Sequence, residues 1–282
     1  MSVSEKYNNK CPISFEIFPP KGELDPATIG NVLDGMSRLA PDFISVTYSA
    51  GGGGNSKKTI ELAGAIQKDY YIESIAHMTC INSSRDEVDS VIDSIVGAGI
   101  KNVLALRGDI VEGKAPTDFK YAKELIPLLK DRGICVGAAC YPEGHVSCED
   151  VDADVDFLKE KQDAGADFFL SQLFFDNSAF YRFMERAARH GITKPISAGI
   201  MPILSKSQIM RMIFMCGASL PRDIILILNK YENDPESLRK AGIEYASKQI
   251  IDLIKNGAQG IHIYSMNRPE NAAEILENIK NG

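Results

Sequence analysis

A few short stretches of this chain carry side chains able to do chemistry at unusual places. In ISFEIFPPKG, residues 13–22, a single carboxylate, Glu16, interrupts an apolar run that Pro19 and Pro20 cut short. Ile13, Phe15 and Ile17 alternate with Ser14 and Glu16 as the two faces of a strand do, and paired prolines cannot continue a hydrogen-bonded ladder. Glu16 therefore stands close to the C-terminal end of a strand. In LALRGD, residues 104–109, Arg107 supplies a cation and Gly108 permits close approach. Asp109 can accept hydrogen bonds from an NH-rich heterocycle or bias a redox ring by its charge, although an Arg–Asp loop clamp would use the same residues. AHMTC, residues 76–80, and YPEGH, residues 141–145, add His77, Tyr141 and His145. The spacing of a zinc site is missing, whereas imidazole and phenol suit the polar edges and phosphates of an organic cofactor. SQLFFD, residues 171–176, sets Gln172, which donates and accepts, beside aromatic bulk; a satisfied core amide is the plainer alternative.

The elements that must position these residues recur with a beat of about thirty residues, the length of a strand, a helix and two loops. A helical pattern over 26–41 leads to the apolar strand FISVTY at 43–48, and helices over 57–69, 85–97, 118–131, 152–164 and 178–190 each lead to another apolar strand. The last strand is GIHIYSMN, residues 260–267, followed by a helix ending near Ile279. Helical patterns at 205–217, 221–230 and 235–255 lengthen the interval between the seventh and eighth strands. Eight strands in this alternation predict a (β/α)8 TIM barrel with additional helices between strands seven and eight, over a doubly wound sheet, for which an early GxGxxG is missing. Residues 1–282 then form one barrel domain, with a short flexible N-terminal segment at 1–11. In such a barrel Glu16, Thr47, His77, Arg107, Asp109, Tyr141, His145, Gln172 and Tyr264 fall at or just beyond strand ends and converge on the C-terminal face, where function resides.

Composition narrows the classes. The chain has 282 residues, 44% hydrophobic and 24% charged, which suits a folded domain. A formal charge of −7 with dispersed Lys and Arg offers no field for nucleic acid. No apolar run approaches the roughly 20 residues of a membrane span, and the start resembles no signal peptide, so a cytoplasmic location is expected. Cysteines 11, 80, 135, 140, 148 and 216 form no close CxxC pair, which argues against a disulfide scaffold and against an iron–sulfur site of the chain's own. Gly51 to Gly54 match neither a Walker motif nor a dinucleotide fingerprint and read as a mobile loop.

Together and in order, FEIFPPKG, VTYSA, AHMTC, ALRGD, AACYPEGH, LKEKQDAGAD, SQLFFD, GIMP and HIYSMNR resemble the methylenetetrahydrofolate reductase family over about residues 12–279. Each motif is weak alone; the ordered set is specific. The resemblance, to the compact bacterial catalytic form without an appended regulatory domain, implies an FAD-containing barrel that passes hydride from NADH or NADPH to 5,10-methylenetetrahydrofolate by a ping-pong route, making 5-methyltetrahydrofolate for one-carbon metabolism and methionine biosynthesis. It favours NADH over NADPH and implies a homo-oligomer. By matching motif, Glu16 resembles the general acid, a role that asks for a carboxyl still protonated near neutrality; Asp109 resembles the residue that contacts the pterin and tunes the flavin. Gln172 resembles a folate-orienting amide and Arg268 a substrate-side residue, while Thr47, His77, Arg107, Gly108, Asp109, Tyr141, His145, Asp154 and Lys161 match FAD-binding positions. The tetraglycine loop departs from the pattern, as do Phe157 and Met212, where relatives carry an amide and an aromatic residue. These departures bear on adenine contacts and nicotinamide placement. Two alternatives stand beside this reading: an FAD-containing subunit fed by an iron–sulfur redox partner, and a flavin-independent lyase or aldolase.

Overall fold

The structure is a computed structural model and describes residues 2–8, 10–20, 26–48, 56–110 and 118–282; the tetraglycine loop lies outside these residues. Strands β1 (Ile13–Ile17), β2 (Phe43–Val46), β3 (Glu73–Thr79), β4 (Asn102–Leu106), β5 (Cys135–Cys140), β6 (Phe168–Ser171), β7 (Ile196–Ile200) and β8 (Gly260–Tyr264) pair in sequence order and close into a barrel. All pairings are parallel, and β1 is bonded to both β2 and β8, with Glu16 in register with Ser45 and Tyr264. Helices α1 (Pro26–Ser37), α2 (Ser56–Asp69), α3 (Arg85–Gly97), α4 (Ala122–Asp131), α5 (Val151–Asp163) and α6 (Asn177–Arg189) alternate with the strands. Between β7 and β8 lie α7 (Lys206–Cys216), α8 (Arg222–Lys230) and α9 (Pro235–Lys255), and α10 (Pro269–Asn281) closes the chain. The TIM-barrel expectation, with additional helices in that interval, is what the molecule forms.

Strand alternation sorts the core. One face of each strand packs outward on the helices, as Phe15, Ile17, Ile44, Val46, Val103 and Ala105 do. The other faces the barrel axis, where Phe43, Ile75, Leu104 and Phe168 form a dry layer toward the N-terminal end. Two residues further along the same rows the side chains are Ser45, His77, Leu106 and Leu170, so polar groups enter the interior on the β2 and β3 side of the mouth.

Within the N-terminal segment, residues 3–7 form a 3-10 helix, Val3–Tyr7. Val3 is buried against the dry layer, and its N–H donates to Asn102 Oδ1 at 2.9 Å. The Tyr7 hydroxyl shares a 2.8 Å hydrogen bond with Ser197 Oγ. An open barrel end leaves apolar side chains to water, and this short helix covers them.

Local signals set the element that matters most for the site. The Asp150 side chain accepts from the N–H groups of Asp152 and Ala153, capping α5. Within α5, Asp154, Phe157 and Lys161 are three and four residues apart and so share one face.

Candidate functional site

At the C-terminal end of β1, Glu16 is sheltered, with 19% of its side chain exposed. Its Oε2 lies 3.7 Å from His77 Nε2 and 3.6 Å from His262 Nε2. Both imidazoles come from axis-facing rows, His262 from the adjacent strand β8 and His77 from β3, the strand beyond β2. His262 is held by Ser14 Oγ at Nδ1, 2.8 Å, and by Ser45 Oγ at Nε2, 3.3 Å. His77 is buried, and its Nε2 meets no hydrogen-bond partner among the described residues. Burial pushes its pKa down from 6.5 to about 4; the Glu16 charge opposes this and His262 reinforces it. At neutral pH His77 is thus uncharged, and its approach to Glu16 is not an ion pair.

The backbone around Glu16 is fastened from the far end of the chain. Ser265 Oγ donates to the Glu16 carbonyl at 2.6 Å. Asn267 accepts from the Phe18 N–H at 3.0 Å and donates to the Phe18 carbonyl at 2.8 Å, so its amide pairs with the segment leading to the two prolines. Met266 and Asn267 both have left-handed backbone, with φ of 56° and 55°, a conformation that costs a residue with a Cβ and that tends to gather at functional sites.

Between the ends of β4 and β5 and the faces of α4 and α5 opens a cavity of about 490 Å³. Arg107, Tyr141, His145, Asp154 and Lys161 line it, five of the residues expected to bind a cofactor, together with Phe157. Lys161 donates to the Ala139 carbonyl at 2.9 Å, using one of its three donors, and its ammonium stands 5.5 Å from the Tyr141 ring centre. The Tyr141 and His145 rings meet edge to face at 4.7 Å. Burial lowers the Lys161 pKa and raises that of Asp154, each moderated by the other's charge. Burial also lowers His145, with the Arg107 charge adding to the effect, and it raises Tyr141. Gly108 has φ of +83°, and a Cβ there would lie 2.9 Å from Thr79 Cβ, so a glycine is what lets the chain turn beside β3.

The remaining expected residues are placed less centrally. Thr47 is half-buried just beyond β2, its N–H bonded to the Ile17 carbonyl at 2.9 Å. Asp109 is exposed on the rim, its carbonyl accepting from Asn82 Nδ2. Gln172 follows β6 directly, with its Oε1 accepting from the Leu173 N–H at 2.9 Å. Arg268 is not drawn into the mouth: its side chain is 60% exposed, and Nη1 lies 3.8 Å from Glu270 Oε1. Met212 packs on a second apolar cluster, built from Leu173, Phe175, Met201 and Ile203 with residues of α7 and α8. Sequence reasoning had not singled out His262, or Tyr121, Lys123, Ser147 and Cys148 of the cavity wall. The alternation of GIHIY carried a signal for His262, and the helical spacing of α4 one for Lys123; Tyr121, Ser147 and Cys148 lie in segments whose side-chain directions no spacing rule gives.

A family profile described as methylenetetrahydrofolate reductase matches residues 3–280. The 5,10-methylenetetrahydrofolate reductase of Pectobacterium carotovorum is 33% identical over 259 residues, covering 92% of this chain and 86% of that protein. Methylenetetrahydrofolate reductase 1 of Schizosaccharomyces pombe is 32% identical over 292 residues, covering 99% of this chain, which spans 48% of the yeast protein. The chain belongs to the methylenetetrahydrofolate reductase family. A solved structure described as an uncharacterized protein from Clostridium thermocellum that binds two copies of 5-methyl-5,6,7,8-tetrahydrofolic acid shares the fold, with a TM-score of 0.67 at 15% identity over 99% of this chain and 98% of that one.

Proposed function

We propose that this chain reduces 5,10-methylenetetrahydrofolate to 5-methyltetrahydrofolate with FAD as carrier and NADH or NADPH as donor, the two substrates taking turns at one site. The observation that supports this most is the placement of Glu16, a sheltered carboxylate at the C-terminal end of β1 and within 4 Å of two imidazoles, in a barrel that also carries a cation-lined cavity at the ends of β4 and β5. The folate named for the Clostridium thermocellum structure adds support to a folate at this mouth.

The residues present fit a flavin dinucleotide. Arg107 and Lys161 outnumber Asp154 around the cavity, with Lys123 on its wall paired to Glu160 at 2.6 Å; this balance suits a diphosphate, and Tyr121, Tyr141 and Phe157 offer faces for flat rings. The orphaned His77 Nε2 is a buried polar atom that a ring edge would satisfy. Arg107, Tyr141, His145, Asp154 and Lys161 would hold the cofactor with Thr47 and Gly108, and Asp109 would set charge at the rim. When bound, FAD supplies a group that accepts hydride and releases it again. Glu16 protonates the folate nitrogen that leaves as the five-membered methylene bridge opens, which exposes an iminium carbon to hydride. Ser265 and Asn267 keep the Glu16 backbone in place, and the Gln172 amide orients the folate through the donor its own backbone bond leaves free.

Glu16→Gln tests this. The substitution keeps shape and removes the proton, so reduction of the bound flavin by NADH should be nearly unchanged while transfer to 5,10-methylenetetrahydrofolate falls roughly 10²-fold or more in stopped-flow half-reactions. A folate half-reaction at wild-type speed rejects the proton-donor role. Failure of both NADH and NADPH to reduce the wild-type flavin, with activity restored by an iron–sulfur protein, replaces the nicotinamide donor by a protein partner.

A further inference from the structure

The two sides of the barrel mouth are built on different supports. Tyr141, His145, Ser147 and Cys148, in the segment after β5, wall the cavity. On the other side, α7 and α8 close the second apolar cluster, which packs around Leu173, beside Gln172, and against Tyr264. Glu143 spans the gap: both of its carboxylate oxygens accept from the Ser219 N–H, at 3.1 and 3.2 Å, between positions 76 residues apart in the chain.

Each partner in this contact is held in advance. Pro142 is buried, and its carbonyl accepts from Arg186 Nη2 at 3.3 Å, so the residue before Glu143 is fixed. On the other side Gly217 ends α7 with φ of +67° and its N–H on the Ile213 carbonyl at 2.9 Å. The two segments also touch directly, since a Cβ on Gly217 would lie 2.8 Å from Val146 Cγ1. A carboxylate taking a backbone N–H is a charge-assisted bond, stronger than a neutral one, and here it joins two segments that do not otherwise share an element.

We propose that Glu143 is a positioning residue that couples the two sides: a ligand filling the cavity steadies residues 141–148, and the Glu143–Ser219 bond passes that order to α7 and α8, so the folate side binds its ligand more tightly. The inference rests on the reading of the cavity as the FAD site and the mouth as the folate site. Because Ser219 is exposed, the coupling belongs at the low end of the usual range, about fivefold in affinity.

The test uses the whole chain with and without FAD and reads two quantities: amide hydrogen exchange of residues 217–220, which include the donor itself, and the affinity for 5-methyltetrahydrofolate by calorimetry. In the wild type, FAD should slow exchange at Ser219 and tighten folate binding about fivefold. Glu143→Ala should still take up FAD yet show the same fast exchange in both states and no gain in folate affinity, and Glu143→Gln, which keeps one acceptor oxygen, should recover part of both effects. A role confined to holding the loop would leave no FAD dependence in the wild type, so normal FAD uptake with unchanged exchange at Ser219 overturns the coupling alone. Full retention of the affinity gain in Glu143→Ala also overturns it. A wild-type chain that takes up no FAD overturns the cofactor reading, and the coupling with it.

Discussion

His77 makes a prediction that needs no ligand. Its ring is buried with Nε2 unpartnered, and its pKa is pushed down from 6.5 to about 4, chiefly by burial. As pH falls through 6.5 the unfolded chain binds a proton at this residue while the native chain does not, so stability is lost from pH 6.5 down to about 4 and no further below it. At about 1.4 kcal/mol per pH unit, that interval is worth about 3 kcal/mol. His77→Gln cannot titrate. Urea unfolding of the flavin-free wild type and variant at pH 7, 6, 5 and 4 should therefore show the wild type's stability relative to the variant falling by about 3 kcal/mol across the range, whatever the other carboxylates and histidines contribute to both. The residue's own NMR titration gives the midpoint directly. Because the Glu16 charge raises the His77 pKa, Glu16→Gln should move that midpoint lower still. A midpoint near 6.5, or a stability gap that stays constant with pH, would refute the account of a ring kept neutral by burial.

Two further outcomes follow from the cavity and its rim. Gly108→Ala forces a Cβ to 2.9 Å from Thr79 Cβ at a φ of +83°, so it should lower stability by about 1–3 kcal/mol in thermal unfolding and reduce FAD retained on purification, because Arg107 and Asp109 flank the turn. Lys161→Met removes a cation that has two donors left after its bond to Ala139 and should weaken FAD binding by about tenfold or more in fluorescence titration; equal affinity would mean that the diphosphate lies elsewhere.

The barrel was legible because each strand and helix announces itself within its own residues, by alternation of two or by a spacing of three and four. What the chain hides are consequences of closure. Val3–Tyr7 is too short for either period, and Val3 is buried only because a barrel end needs covering. The helix expected from 118 begins at Ala122, which leaves Tyr121 at its cap and 52% exposed on the cavity wall. The apolar run ADFFLSQLFFD, residues 166–176, holds a strand only as far as Ser171; beyond it the Gln172 Oε1 accepts from the Leu173 N–H, and Leu173 and Phe175 join the cluster under α7 and α8. Glu143 and Ser219 meet across 76 residues, a distance over which local pattern carries no information.

The position of Glu16 follows from the gradient inside the barrel. Axis-facing rows advance two residues at a time from the dry layer of Phe43, Ile75, Leu104 and Phe168 toward the mouth. One step below Glu16 on its own row stands Ser14, fully buried and bonded to His262, and a carboxylate there would face a large desolvation cost with one imidazole to offset it. One step above, the chain has left the ladder and is bound for Pro19 and Pro20, where water would screen any charge. Position 16 alone on this row is both sheltered, at 19% exposure, and open to the mouth, with His77 of β3 and His262 of β8 each within 4 Å of its carboxylate. The proton-donor role proposed for Glu16 asks for shelter from bulk water together with access to a substrate, and on β1 that combination falls at position 16, just before the prolines that end the strand.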